Sequence, residues 1–161
     1  MEIVDAEHEE TAPEAKTPFI SKLNCSLADK TQTIHITPGT LTFQVYEKKK
    51  VGEQFQCNYG FNEEYRNAMA NGGLEIVGVD TNAEARIVEL SNHRFFIATL
   101  FLPQLSSTLE LTHPLIRAFI KAAAAFQGIK QTLVSLPAVS VAGSTPGLLE
   151  PSSPAKVEKN L

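Results

Sequence analysis

A chain of 161 residues, 43% hydrophobic and 20% charged, has the size and composition of one globular domain with a single modest core. Its net charge of -4, with no basic cluster larger than Lys48-Lys49-Lys50, argues against nucleic-acid and anionic-membrane partners. The apolar runs are far shorter than a bilayer span, and the opening acids Glu2, Asp5, Glu7, Glu9 and Glu10 are the opposite of a signal peptide. Two cysteines, Cys25 and Cys57, form no disulfide framework and suit a reducing compartment, so the expected location is cytoplasmic.

Residues 1–18 are acidic, contain Pro13 and Pro18, and read as an extended connection. Thr31-Gln32-Thr33-Ile34-His35-Ile36 alternates with period two, Pro38-Gly39 marks a turn, and Leu41-Thr42-Phe43-Gln44-Val45-Tyr46 alternates again. The pattern predicts a half-exposed antiparallel hairpin. The lysine triplet then reads as a solvated turn between strands, and 53–61 as a strand leading into a turn at Gly60. Asn62 is placed to cap a helix over 63–70, with Glu63 and Glu64 in its first turn and Asn71-Gly72-Gly73 at its end. Leu74–Val79 and Ala85–Leu90 read as a hairpin around Asp80-Thr81-Asn82-Ala83.

After the turn Ser91-Asn92-His93-Arg94, residues 95–101 have the continuous hydrophobicity of a strand covered on both faces. Thr112 is a fitting cap for a helix over 113–127, with Pro114 in its first turn and Gly128 past its end. Leu115, Phe119, Ala122, Ala123 and Phe126 follow helical spacing, which predicts one inward face. Pro137, Pro146, Pro151 and Pro154, among serines and glycines, make 129–161 an expected disordered tail, which leaves 19–128 as the folded domain. The chain contains no internal repeat.

Four segments together resemble a known family. Phe96-Ile97-Ala98-Thr99-Leu100-Phe101-Leu102-Pro103-Gln104 is similar to the strand and Phe-His-Pro-Glu turn that close the active site of triad glutamine amidotransferases. Gly73-Leu74-Glu75-Ile76-Val77-Gly78 is similar to a Gly-Leu-x-Ile-x-Gly strand of the CTP synthase glutaminase domain. Ile87-Val88-Glu89-Leu90-Ser91-Asn92-His93-Arg94-Phe95-Phe96 resembles its Val-Glu-x-Ile-Glu-x-x-x-His-Pro-Trp-Phe segment. His113-Pro114-Leu115, with Phe119-Ile120-Lys121-Ala122-Ala123, resembles its final helix. Each piece is weak alone, but their order and spacing over about residues 4–127 are specific.

The resemblance implies an α/β fold: the C-terminal portion of a class I amidotransferase domain, a mixed sheet with flanking helices and an added β section. It also implies a link to glutamine-dependent amination in pyrimidine nucleotide (CTP) synthesis. The expected partner is a synthase domain or the missing N-terminal half. Without the first parallel strands of that sheet, 95–101 would be left with an open edge, so marginal stability or self-association is expected.

The departures from the family concern its chemistry. Leu102 stands at the position of the histidine base and Gln104 at that of the glutamate that orients it, and leucine has no titratable group. No Gly-x-Cys-x-Gly elbow is present, since neither Cys25 nor Cys57 is flanked by glycines; by resemblance the elbow would lie upstream of Met1. The family's basic run before Tyr-x-Val-Asn is here Gln54-Phe55-Gln56-Cys57-Asn58-Tyr59-Gly60-Phe61-Asn62, without positive charge. These losses predict a non-catalytic domain that acts as a binding or regulatory module.

The alternative is an active glutamine-hydrolysing enzyme with its nucleophile upstream of Met1 or at Cys57, with His35, His93 or His113 as base. Each of these has a plainer reading: Cys57 as a small buried apolar residue, His93 in a turn, His113 at a helix start and His35 facing solvent. Glu9-Glu10 are adjacent in a connecting segment, and a capped strand–helix connection accounts for Asn58-Tyr59-Gly60 with Glu63-Glu64. The scattered histidines and distant cysteines have no metal-ligand spacing, and no cofactor site is expected.

Overall fold

The computed structural model describes residues 6–126; the tail expected at 129–161 lies outside the described residues. The largest sheet has five strands in the order β3-β2-β5-β6-β7 and is antiparallel at every ladder. Its strands are β2 (Lys30–Ile36), β3 (Lys50–Phe55), β5 (Leu74–Val79), β6 (Ala85–Leu90) and β7 (Ile97–Thr99). A separate pair joins β1 (Ile20–Lys22) to β4 (Tyr59–Phe61), and His8 makes an isolated parallel bridge to Ile20. Among the described residues three α-helices accompany the sheets: α1 (Leu41–Tyr46), α2 (Arg66–Asn71) and α3 (Pro114–Phe126). The expected α/β class, a sheet with flanking helices, is therefore observed. None of the described helices is long and apolar enough to cross a membrane.

The hairpin expected across Pro38-Gly39 is not formed. Leu41–Tyr46 is helical, and the partner of β2 is β3, paired from Lys30↔Phe55 to His35↔Lys50. The alternating pattern is overridden at the helix start. Thr40 Oγ1 accepts the Phe43 N–H at 3.1 Å, and the Glu89 carboxylate accepts the N–H groups of Leu41 and Thr42. Thr42 and Tyr46, four residues apart, then share the buried face. The single strand expected over 53–61 is divided as well, with β3 ending at Phe55 and β4 joining the other sheet.

The β5–β6 hairpin has the expected bounds. Its turn is organised by Asp80, which accepts N–H groups from Asn82 at 2.8 Å and Glu84 at 3.1 Å and pairs with buried Arg86 at 2.7 Å. Asn62 caps the following turn as expected, its Oδ1 accepting the Glu64 N–H; a 3-10 turn at Glu63–Tyr65 precedes α2.

Two apolar faces differ from expectation. Only Ile97–Thr99 of the 95–101 segment is in the ladder, at the sheet edge, with Phe96 41% exposed. Ile97 and Leu100 pack partly buried against the core, and Phe101, beyond the end of the strand, enters it at 1% exposure. On α3, Leu115 joins the buried core, but Phe119 and Phe126 remain exposed, meeting Phe95 and the Arg94 guanidinium of the 91–95 segment rather than the core. His113 rather than Thr112 caps it, its Nδ1 accepting the Leu115 N–H at 3.2 Å.

The core gathers Ile34, Phe55, Ile87 and Phe101, all essentially inaccessible. Gly78 lets β6 approach: a Cβ there would lie 2.7 Å from Cγ1 of Ile87. Gly78→Ala is therefore expected to destabilise by about 1–3 kcal/mol through overpacking, read as a lower urea midpoint with an unchanged slope. The open β7 edge and the exposed rings of Phe96, Phe119 and Phe126 lead to a second expectation. Size-exclusion chromatography with light scattering should show self-association that grows with concentration. A clean monomer with a sharp cooperative melt would contradict it.

Candidate functional site

The Leu102-Pro103-Gln104 turn is positioned by the residue before it. Phe101 packs edge-on against Phe55 of β3, with ring centroids 5.8 Å apart. The Leu102 N–H then donates to the Gln54 carbonyl at 3.3 Å, and Pro103 opens a 3-10 turn, Pro103–Ser106. Two segments far apart in sequence, the Leu-Pro-Gln turn and the start of the uncharged 54–58 run, are thus brought side by side. Leu102 is half-buried and Gln104 is exposed. Leu102 can neither take nor give a proton, and the Gln104 amide supplies hydrogen bonds without charge.

Cys57 is half-buried, and its thiol donates to the Tyr59 carbonyl at 2.9 Å. Among the described residues no histidine hydrogen-bonds to it. His35 is half-buried in β2 rather than solvent-facing, opposite Val79 and Lys50. His93 is exposed in its turn, its Nδ1 accepting the Phe95 N–H at 3.3 Å. His8, which the sequence did not single out, lies against Tyr59 with ring centroids 5.0 Å apart. Its Nδ1 accepts the Glu10 N–H.

His113 belongs to a buried cluster that joins α1, β3 and the start of α3. Tyr46 Oη donates to Glu53 Oε1 at 2.6 Å, and His113 Nε2 lies 3.0 Å from the same oxygen. The Leu115 N–H points at Nδ1, so Nε2 carries the ring proton and donates to Glu53. Burial, then the hydrogen bond and charge of Glu53, push the Tyr46 phenol far above its ordinary 10.0. Glu53 and Tyr46 escaped the sequence reading. One signal was available: period-two alternation puts Glu53 on the same face of β3 as buried Phe55, and a carboxylate on a core face requires partners.

The cluster is a structural clamp with every proton committed, and its titration has a definite sign. A phenol whose folded pKa is raised contributes stability fully present below pH 10.0 and lost as pH rises beyond it. Tyr46→Phe should cost about 1–2 kcal/mol at neutral pH through the lost hydrogen bond. Urea midpoints measured from neutral to alkaline pH should fall less steeply for the variant above pH 10.0.

No protein-family model matches the chain. Among curated proteins, the CTP synthase of Picosynechococcus sp. is 35% identical over 129 residues, which cover 74% of this chain and 23% of that protein. The CTP synthase of Prosthecochloris aestuarii is 39% identical over 89 residues, covering 55% of this chain and 16% of that one. Among solved structures, the glutaminase domain of Trypanosoma brucei CTPS, with bound acivicin, matches with a TM-score of 0.70 at 24% identity. That match covers 75% of this chain and 51% of the other. A putative GMP synthase protein from Thermoplasma acidophilum matches with a TM-score of 0.52 at 12% identity, over 68% of this chain and 50% of that one. The two structures share the fold, and the chain spans less than a quarter of the two curated relatives' length. With 35% identity to a CTP synthase over 74% of its length and the fold of a glutaminase domain, the chain belongs to the glutamine amidotransferase domains of CTP-synthase type.

Proposed function

We propose that this chain is a non-catalytic amidotransferase domain that serves as a binding or regulatory module in pyrimidine nucleotide synthesis, alongside a CTP-synthase-type synthase domain. The observation that carries the reading is Leu102, an aliphatic side chain in the turn where the family places its base. Amide hydrolysis through a thiol needs a base within hydrogen-bond reach of the nucleophile and a group that orients that base. Leu102 and Gln104 supply neither function. A cysteine contributed from a longer product or from a partner chain would meet the same leucine.

The remaining candidates also support the reading. The Cys57 thiol proton goes to a carbonyl, and the buried His113 has Glu53 on one ring nitrogen and the Leu115 N–H on the other. The neutral 54–58 run has no cation to pair with the α-carboxylate of glutamine. Its amides suit a ligand held by hydrogen bonds alone. The proposed setting is the cytoplasm, with the complementary part of an amidotransferase domain or a synthase domain as partner.

Two measurements test the proposal. Ammonia release from glutamine, assayed with the chain alone and with a CTP-synthase-type synthase domain added, should stay at background. Turnover above background that disappears in Cys57→Ala would establish the enzyme reading instead. Iodoacetamide labelling at neutral pH gives the second readout. Cys57 should react no faster than exposed Cys25, since a depressed thiol pKa is what speeds such labelling. Much faster labelling of Cys57 would overturn the assignment.

A further inference from the structure

A cavity of about 460 Å³ opens beside the Tyr46–Glu53–His113 clamp, walled by the end of α1, by β3 and by the start of α3. Its charged lining is one-sided. Lys48, Lys50 and Arg117 all border it, and among the described residues none of the three is ion-paired to a carboxylate. The one carboxylate in the wall is Glu53, which is buried and occupied by two donors. Ser106 and Thr112 add hydroxyl groups. His113 and Pro114 place the N-terminal end of the 13-residue α3, with its partial positive charge, at the same opening.

This concentration of positive charge runs against the chain's net charge of -4. Solvated lysines on a turn would need no cavity, and a buried structural cation would be paired. Here three cations converge on a concave space of small-molecule size with no counter-charge of their own. We infer that the cavity is a binding site for a small, multiply charged phosphate-bearing anion. Arg117 can grip such a group through two parallel N–H donors, while Lys48 and Lys50 act as point charges from the other wall. Ser106, at the end of the Pro103–Ser106 turn, borders the cavity, but Leu102, Pro103 and Gln104 do not, and the inference does not depend on whether glutamine is hydrolysed.

Isothermal titration of the full chain with inorganic pyrophosphate tests it, with orthophosphate and citrate as comparison anions. Pyrophosphate should bind more tightly than either, and affinity should fall as sodium chloride is raised, because exposed charges are screened. Each of Lys48→Ala, Lys50→Ala and Arg117→Ala should weaken binding by up to about fivefold, and the triple variant by roughly a hundredfold. Replacing three exposed lysines elsewhere, Lys16, Lys22 and Lys30, by alanine should leave the affinity within about twofold, as expected if distant charges act only weakly through solvent.

Amide shift mapping on the unmodified chain gives a readout that survives misfolding of any variant, and pyrophosphate should move Gly52 and Thr112. Equal losses in the two triple variants, shifts scattered away from this cavity, citrate binding more tightly than pyrophosphate, or no saturable binding would each overturn the inference.

Discussion

The burial of Phe101 against Phe55 sets the geometry of everything around the family's catalytic position. Removing one aromatic ring from water is worth about 1.5–3 kcal/mol, and an edge-on aromatic pair adds about 0.5–1.5 kcal/mol. That energy holds the end of the β7 segment down on β3 and allows the Leu102 N–H to reach the Gln54 carbonyl. The shape of the turn therefore rests on apolar packing, a backbone hydrogen bond and the fixed φ of Pro103. None of these involves the side chains of residues 102 and 104. The frame and the chemistry are physically separable, and for that reason a chain can keep the first while the second changes.

Three buried carboxylates attach the outer elements to the sheet. Glu89 on β6 holds the N-terminus of α1, Glu53 on β3 holds Tyr46 at the end of α1 and His113 at the start of α3, and Asp80 holds the β5–β6 turn through Arg86. A six-residue helix such as α1 has too few internal hydrogen bonds to persist in isolation. It is helical because it is gripped at both ends by acids from different strands. Each clamp has all its oxygens facing donors, which is the condition under which burying a charge is tolerated.

This arrangement explains which parts of the sequence were legible. The β5–β6 hairpin could be read to the residue because its pattern and its turn are both local, and Asn62 because a cap acts two residues away. Leu41–Tyr46 was misread because its six residues fit either period, and the deciding carboxylate, Glu89, is 48 residues downstream of Leu41. The Tyr46–Glu53–His113 cluster was hidden for the same reason, with 60 residues between Glu53 and its imidazole. Leu102 and Gln104, by contrast, were visible as a motif with two changed letters, since Phe101 and Pro103 on either side keep the register. The inward face expected of α3 failed on a different ground. Periodicity reveals which residues share a face, but not whether anything in the structure covers it.

The character of residue 102 follows from this packing. It follows a fully buried phenylalanine and donates its backbone N–H into the sheet, so its side chain is half-buried whatever it is. An imidazole there would require a hydrogen-bonding partner for each ring nitrogen, and holding such a group in place costs stability that only catalysis justifies. Leucine makes no such demand and adds apolar area beside Phe101. Packing alone favours the leucine at this position, and Gln104, with no imidazole beside it to orient, is exposed.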